Sequence, residues 1–428
     1  MNIYIAPHLK SFRYIPYTLR LILRNVESLS LSFVDNVQDA SLIIDTVQQE
    51  NGLCVSQNFL QNVKSGAYAY EINLASDKPY VLNEFATIDY ISTIFYLSNV
   101  VQEYHFKDTD IHRRFTYEKS LQKHYDCAAD NIVQQLIDEL FSQHPAFRQL
   151  KNRTIPSRIS LSHDIDTVYG SEYQDGFYAL KHLQLYDVFR LLLNVVLQKP
   201  DWLNMDKIMR LESEYDFKST FYWLVLKDKK NSDYNIQNTK IVNHMQSLSK
   251  AGWANGLHKA ISDFSIDEEL ALLPFSTVGN RYHFLKYTVP QSLRLMSDSK
   301  LKFDSSFGFA DHWGFRNNYG MPFMPFDIEE NRLLDFVEAP LNVMDGIFYR
   351  SNLSMKDTET LLIDWFDKNN TNCVFSINWH NPFFTNLKYS GFPALYRAIL
   401  TYFKTANIKS VTQDNLITEF YKPEIYQD

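Results

Sequence analysis

"RISLSHDIDTVYG", residues 158–170, decides how this chain is read. Its first five residues have the character of a buried strand, and they run straight into His163, Asp164 and Asp166. Two carboxylates this close repel when both are ionised, so the arrangement calls for something that relieves them. A two-residue spacing along an extended segment points both carboxylates to one side. There one can hold a divalent cation while the other takes a proton from water. The bland alternative is that Asp166 caps a following helix.

Working outward, strand-like runs recur at 219–226 (STFYWLVL), 255–258 (NGLH), 301–306 (LKFDSS), 333–341 (LLDFVEAPL) and 372–380 (NCVFSINWH). Helical patterns near 178–197, 204–215, 238–250, 289–299, 356–368 and 393–405 separate them. Strand–helix alternation over about 270 residues predicts a parallel α/β sheet, open or closed into a barrel. In such folds the carboxyl ends of the strands converge, and sites form there. His258 follows "WANGL", His380 follows "VFSINW", and Asp304 ends "LKFD". Arg281 and His283 lie in "GNRYHFLKY", between elements. Each has a structural alternative: a satisfied core histidine for His258, a surface ion pair for Arg281, and a histidine bonded to backbone for His380. Beside the D-x-D, His258 reads better as a metal ligand, and His380 as a general acid.

The chain has 428 residues, too many for one ordinary core, and its polar, proline-bearing stretch 142–158 marks a domain boundary. Residues 1–143 mix short strand runs (NIYIA, LSLSFV, SLIIDTV) with helices expected near 86–104 and 127–142. A formal net charge of −8 and the absence of any basic run exclude a nucleic-acid binder as a whole. The three cysteines, Cys54, Cys127 and Cys373, form no readable disulfide framework or zinc motif. "MNIYIAPHLK" has no basic region ahead of an apolar one, so a cytoplasmic protein is expected. The most apolar run, "VFRLLLNVVL" at 188–197, is too short to span a bilayer and predicts the buried face of a helix.

Five motifs in this order resemble the polysaccharide deacetylase superfamily, the metal-dependent carbohydrate esterases acting on N- or O-acetylated sugars. The likeness covers about 158–412 and is nearest to a bacterial subgroup in which an uncharacterised domain precedes the deacetylase domain. It implies a distorted (β/α) barrel at 158–428 behind a smaller α/β domain at 1–143. "SHDIDTV" resembles the first motif, which implies that Asp164 is the base and Asp166 a metal ligand. "GLHKAISDF" resembles the second and implies ligand His258. This motif usually carries a second histidine four residues on, where this chain has Ser262, so His283 is the candidate replacement. "GNRYHFLKY" resembles the third and implies a groove-wall arginine, Arg281. "FDSSFGFADHWGFR" resembles the fourth and implies that Asp304 steadies that arginine and that the aromatic after it, Trp313, is a substrate contact. "INWHN" resembles the fifth and implies His380 as acid, with Trp379 and Asn381 beside it as substrate contacts.

The implied activity is removal of an acetyl group by metal-activated water, with zinc as the expected cation and an N-acetylated sugar or glycan as partner. Two rivals remain at this stage. One is a carbohydrate-binding protein of the same fold that lost its metal with the Ser262 change. The other is an amidohydrolase acting on a small non-sugar amide.

Overall fold

The computed structural model describes residues 1–27, 29–68, 72–197 and 199–426. The first part of the chain builds a four-stranded parallel sheet from β1 (Asn2–Ile5), β2 (Ser32–Val34), β3 (Leu42–Asp45) and β4 (Gly52–Cys54), in the order β2-β1-β3-β4. Helices Tyr14–Leu23, Tyr90–Ser98 and Ile132–Gln143 accompany it. The helix expected over 86–104 begins later because Asp89 caps it, its Oδ1 accepting from the Ser92 N–H at 2.8 Å.

The second part is built on β5 (Arg158–Ile165), β6 (Ser219–Leu224), β7 (Ala254–Lys259), β8 (Gly279–Tyr282) and β9 (Phe303–Asp304). A short antiparallel hairpin follows, β10 (Phe326–Asp327) with β11 (Arg332–Leu333). Then come β12 (Val337–Glu338), β13 (Val343–Met344), β14 (Val374–Asn378) and β15 (Lys409–Ser410). The large sheet is parallel throughout, in the order β12-β9-β8-β7-β6-β5-β14-β13, with β15 paired to the start of β5. Its two ends belong to one stretch of chain. Ala339 N–H donates to Asp304 O at 2.9 Å, and three residues later Asn342 N–H donates to Ser376 O at 3.0 Å. Residues 337–344 therefore bond to β9 on one side and β14 on the other, as a broken stave that completes a distorted (β/α) barrel. The expected strand 333–341 is divided because Leu333 pairs with β10 and Val337–Glu338 with β9.

Period-two alternation sorts the β5 side chains. Ile159 and Leu161 pack among Trp365, Phe366 and Leu395 of the covering helices, while Ser162 and Asp164 share the opposite face. His163 falls on the helix side. It is fully buried, with Nδ1 2.6 Å from Trp379 O and Nε2 2.9 Å from Glu212 Oε1. It is a core histidine, held on both ring nitrogens.

One apolar core runs across the expected boundary, joining Ile3, Tyr14 and Phe95 to Phe303, Tyr319 and Phe326. Buried polar contacts do the same. Arg316 donates its Nε to Glu103 Oε1 at 2.8 Å, and Gln122 Nε2 donates to Asn318 Oδ1 at 2.7 Å.

The helix expected near 178–197 is two helices, Ser171–Lys181 and Leu185–Leu197, separated at Leu183 with φ +56°. The apolar run 188–197 was expected to face the core. Instead Leu191 is its one fully buried side chain, and most of the others face outward.

Candidate metal centre and catalytic site

The register of the parallel strands sets the site. Asp164 on β5 stands level with Tyr222 on β6, Leu224 on β6 with His258 on β7, and His258 with Arg281 on β8. β14 borders β5 on its other side and delivers Asn378 and, just past its end, His380. The ends of β5, β7, β13 and β14 border one cavity of about 380 Å³, whose lining includes Asp164, Asp166, His258, Asp345 and His380.

Asp166, His258 and His283 bring one potential ligand atom each to within 4.8 Å of one another. His258 Nε2 is 3.2 Å from Asp166 Oδ1, and His283 Nε2 is 3.6 Å from the same oxygen. The two imidazoles meet edge to face at 5.0 Å between centroids. His258 Nδ1 lies 2.8 Å from the carbonyl oxygen of Arg281, so Nδ1 carries the ring proton there. In the neutral imidazole Nε2 then presents a lone pair to a carboxylate oxygen that is buried and has no hydrogen-bond donor. At 3.2 Å that oxygen can be met either by a proton on Nε2 or by a metal ion held jointly with His283. The donor set of two imidazoles and one carboxylate, with an outer carbonyl fixing a tautomer, fits a divalent metal.

Electrostatics agree. Burial alone would raise the Asp166 carboxyl, but His283, His258 and His380 outweigh it and hold the group well below the usual carboxylate range. Burial pushes His283 down to about 4, against the pull of Asp166, leaving a neutral imidazole suited to a metal. Burial also opposes charge on His258, but Asp164 and Asp166 prevail and raise it.

Ser262 is elsewhere. Its hydroxyl donates to Glu269 Oε1 at 2.6 Å and accepts from Lys259 Nζ at 3.1 Å, closing a buried Lys–Ser–Glu network. His283 is the second imidazole of this cluster. It enters from the end of β8, far from Ser262 in the chain and adjacent to His258 in space.

Asp164 sits beside the cluster with Oδ2 accepting from Asn378 Nδ2 at 2.8 Å. Its Oδ1 has no hydrogen-bond donor and lies 3.6 Å from Arg281 Nη1. Arg281 is itself buried, stacked over the Tyr222 ring at 4.9 Å and donating Nη2 to Ser305 Oγ at 3.0 Å.

Asp304 does not hold Arg281 as expected. It is in register with Asn280, the residue before Arg281, and accepts from Asn280 Nδ2 at 2.6 Å. Alternation sends residues 280 and 281 to opposite faces, so Ser305 meets the guanidinium and Asp304 instead neighbours Glu338 on β12.

On the far side of the cluster His380 Nε2 is 3.7 Å from Asp166 Oδ2. Its Nδ1 is 2.8 Å from Asp345 Oδ1, and its backbone N–H donates to Asp345 Oδ2. Burial would lower this imidazole, but the Asp345 carboxylate pushes it up to about 10. Asp345 escaped the sequence reading. It directly follows β13, and its signal in the sequence is an acid after the short apolar pair Val343–Met344.

The expected substrate contacts are redistributed. Trp379 is fully buried among Phe392 and Tyr396 and belongs to the core. Asn381 is buried too, its amide donating to the carbonyls of Thr167 and Trp202 at 2.7 and 2.6 Å, which ties down the loop after β5. Trp313 packs on His312 and Trp365 and is absent from the cavity lining. The rings that do line the cavity are Phe284, Tyr349, Phe383, Tyr389 and Trp202. Phe284 stacks on His283 at 3.9 Å. Arg114, from the first part of the chain, reaches the same cavity and donates to Phe284 O at 2.7 Å.

No family model matches the sequence, and no curated protein matches it. Among solved structures, a Mycobacterium smegmatis protein assigned by name to the polysaccharide deacetylases is similar at 11% identity and a TM-score of 0.40, over 63% of this chain and 91% of that one. A 4-alpha-glucanotransferase from Thermococcus litoralis is similar at 10% identity and a TM-score of 0.37, over 61% of this chain and 40% of that one. The peptidoglycan deacetylase PdaC from Bacillus subtilis is similar at 11% identity and a TM-score of 0.28, over 62% of this chain and 91% of that one. TM-scores and identities this low identify no function. Among the described residues, no helix is long and apolar enough to cross a membrane.

Proposed function

We propose that this chain is a metal-dependent deacetylase of the polysaccharide deacetylase superfamily, acting on an N-acetylated sugar or glycan. The observation that carries the proposal is the placement of two differently held groups on either side of Asp166, His258 and His283. Asp164 lies beside Arg281, and His380 is bound to Asp345. A divalent cation bound by Asp166, His258 and His283, which we take to be zinc, supplies Lewis acidity toward water and an acetyl carbonyl.

The chain's own residues do the rest. Asp164 Oδ1, free of hydrogen-bond donors, accepts the proton of the attacking water. Arg281 lies 3.6 Å from that carboxylate and is itself anchored by Ser305 and Tyr222. His380 is charged at neutral pH and donates its Nε2 proton to the departing amine, with Asp345 fixing the ring through Nδ1. Phe284 and Tyr349, both partly exposed, offer ring faces to a sugar.

The test is elemental analysis of the purified protein together with release of acetate from N-acetylated chito-oligosaccharides. Stoichiometric metal with acetate release is expected. Metal-free protein that binds sugar without turnover would assign the fold to carbohydrate binding alone.

A further inference from the structure

The helical hairpin formed by Ser171–Lys181 and Leu185–Leu197 is amphipathic in the wrong sense for a soluble protein. In the second helix Leu185, Tyr186, Phe189, Leu192, Leu193 and Val196 are exposed by 46 to 78%. Tyr173, Phe177 and Leu180 on the first helix and Leu183 in the turn are exposed by 58 to 81%. At 3.6 residues per turn the exposed apolar positions from Val195 through Leu197 sweep roughly 200° of the second helix. An ordinary surface helix carries an apolar stripe of about 100° and turns it inward.

The polar edge of that helix is the one attached to the protein. Arg190 pairs with Asp187 at 3.3 Å and with Asp201, and Asn194 Nδ2 donates to Asp201 Oδ1 at 2.9 Å. Leu191 is buried near Gly176 of the first helix, so the hairpin closes on itself at that point. What remains faces outward, with aromatic and aliphatic side chains on both helices and in the turn.

We infer that this hairpin inserts into the interfacial layer of a lipid bilayer and holds the protein on a membrane surface. Two features favour lipid over a second copy of the chain. A pairing hairpin would cover one flank, whereas the apolar arc here extends around more than half of the helix and over the turn, as immersion in a fluid apolar phase allows. The chemistry is also interfacial: Tyr173 and Tyr186 add hydroxyl-tipped rings to Phe177, Phe189 and the leucines, and Lys181 and His182 sit exposed at the turn. At 13 residues the longer helix lies in the interface and does not cross it. The root of the hairpin borders the candidate site, because Gln174 and Trp202 line its cavity. A second cavity of about 710 Å³, lined by Tyr173 and Val195 of the hairpin with Tyr169, Pro200 and Leu203, adjoins it.

The test is flotation of the full chain with vesicles of phosphatidylethanolamine and phosphatidylglycerol, beside the triple variant Phe177→Ser, Phe189→Ser, Val196→Ser. The wild type should float with the lipid, and partitioning should fall by about tenfold for each side chain replaced. A circular-dichroism melt of the variant reports that the fold is intact, independently of whether the protein binds metal or deacetylates anything. Should the triple variant not fold, Leu185→Trp provides a second reading: its fluorescence should shift to the blue on adding vesicles. A wild type that stays in the lipid-free fraction overturns the inference. So does a wild type that is dimeric in lipid-free buffer and does not float, with a monomeric variant, which would assign the hairpin to a second copy. A variant that floats as well as the wild type, or a Leu185→Trp spectrum unmoved by vesicles, overturns it too.

Discussion

Asp345 grips His380 twice: Oδ1 lies 2.8 Å from the ring Nδ1, and Oδ2 accepts the backbone N–H of the same residue. A carboxylate that binds both ring and backbone fixes the imidazole plane and favours its charged form, which is why this histidine stands at about 10 despite burial. Below that value the ring keeps its proton, and above it the ring can no longer donate. Asp345→Asn should bring the His380 titration down toward the ordinary histidine range in the metal-free protein, read by NMR of the ring. Turnover should fall by about 10–100-fold. An unmoved titration would show that Asp345 does not control this group.

The two carboxylates of the opening motif should separate by role. Asp164→Asn is nearly isosteric and leaves Asp166, His258 and His283 untouched, so metal content should persist while turnover falls by about 100-fold, or about 3 kcal/mol of barrier. Asp166→Asn should lose metal, with partial recovery of activity in excess zinc. Metal analysis and acetate release on both variants decide it. The reverse pattern would exchange the roles.

His283→Ala should weaken metal binding by more than the ~10–100-fold seen on removing outer partners of a ligand. Ser262→His should not restore it. That position belongs to the Lys259–Glu269 network, so the larger ring should lower the melting temperature by breaking buried hydrogen bonds. Recovery of metal in the double variant would place residue 262 in the site after all.

Asp304 and Glu338 are buried neighbours on β9 and β12, and two such carboxyls cannot both ionise cheaply. Burial and the Asp304 charge raise Glu338 well above its ordinary range, while burial pushes Asp304 up to about 6. The folded state therefore holds protons that the unfolded state releases near pH 4. Their stabilising contribution is complete below that pH and is lost as pH rises through the folded values. Glu338→Gln keeps an oxygen for the Ser306 and Phe307 N–H groups and needs no proton. Melting temperature should decline from pH 5 to pH 9 more steeply in the wild type than in Glu338→Gln, and parallel curves would show Glu338 ionised throughout.

Sugar contacts should follow the cavity lining and not the tryptophans of the motifs. Tyr349→Ala and Phe284→Ala should raise KM for an acetylated oligosaccharide with little change in melting temperature. Trp379→Ala should cost about 3–5 kcal/mol of stability through the cavity it leaves in the core. A stable Trp379→Ala protein with a raised KM would reverse the assignment.

What the sequence determined by itself was local. Alternating apolar and polar residues along "RISLSHDID" specify a strand with one face under helices, and repetition of strand and helix specifies a parallel α/β sheet. Parallel sheets gather the carboxyl ends of their strands, so Asp164, Asp166, His258 and His380 were legible as neighbours before any coordinate. Tertiary structure decided whatever depends on register or on what covers a surface. His283 stands beside His258 because β8 pairs with β7 in one register, and Asp304 misses Arg281 because β9 pairs with β8 so that it lies level with residue 280. Asp345 joins His380 across a gap of 35 residues, through a stave that changes neighbours midway. The run 188–197 is apolar whichever way it faces. In the folded chain Arg190 and Asn194 bind Asp201 on one edge of the helix, and the apolar arc lies on the outward side.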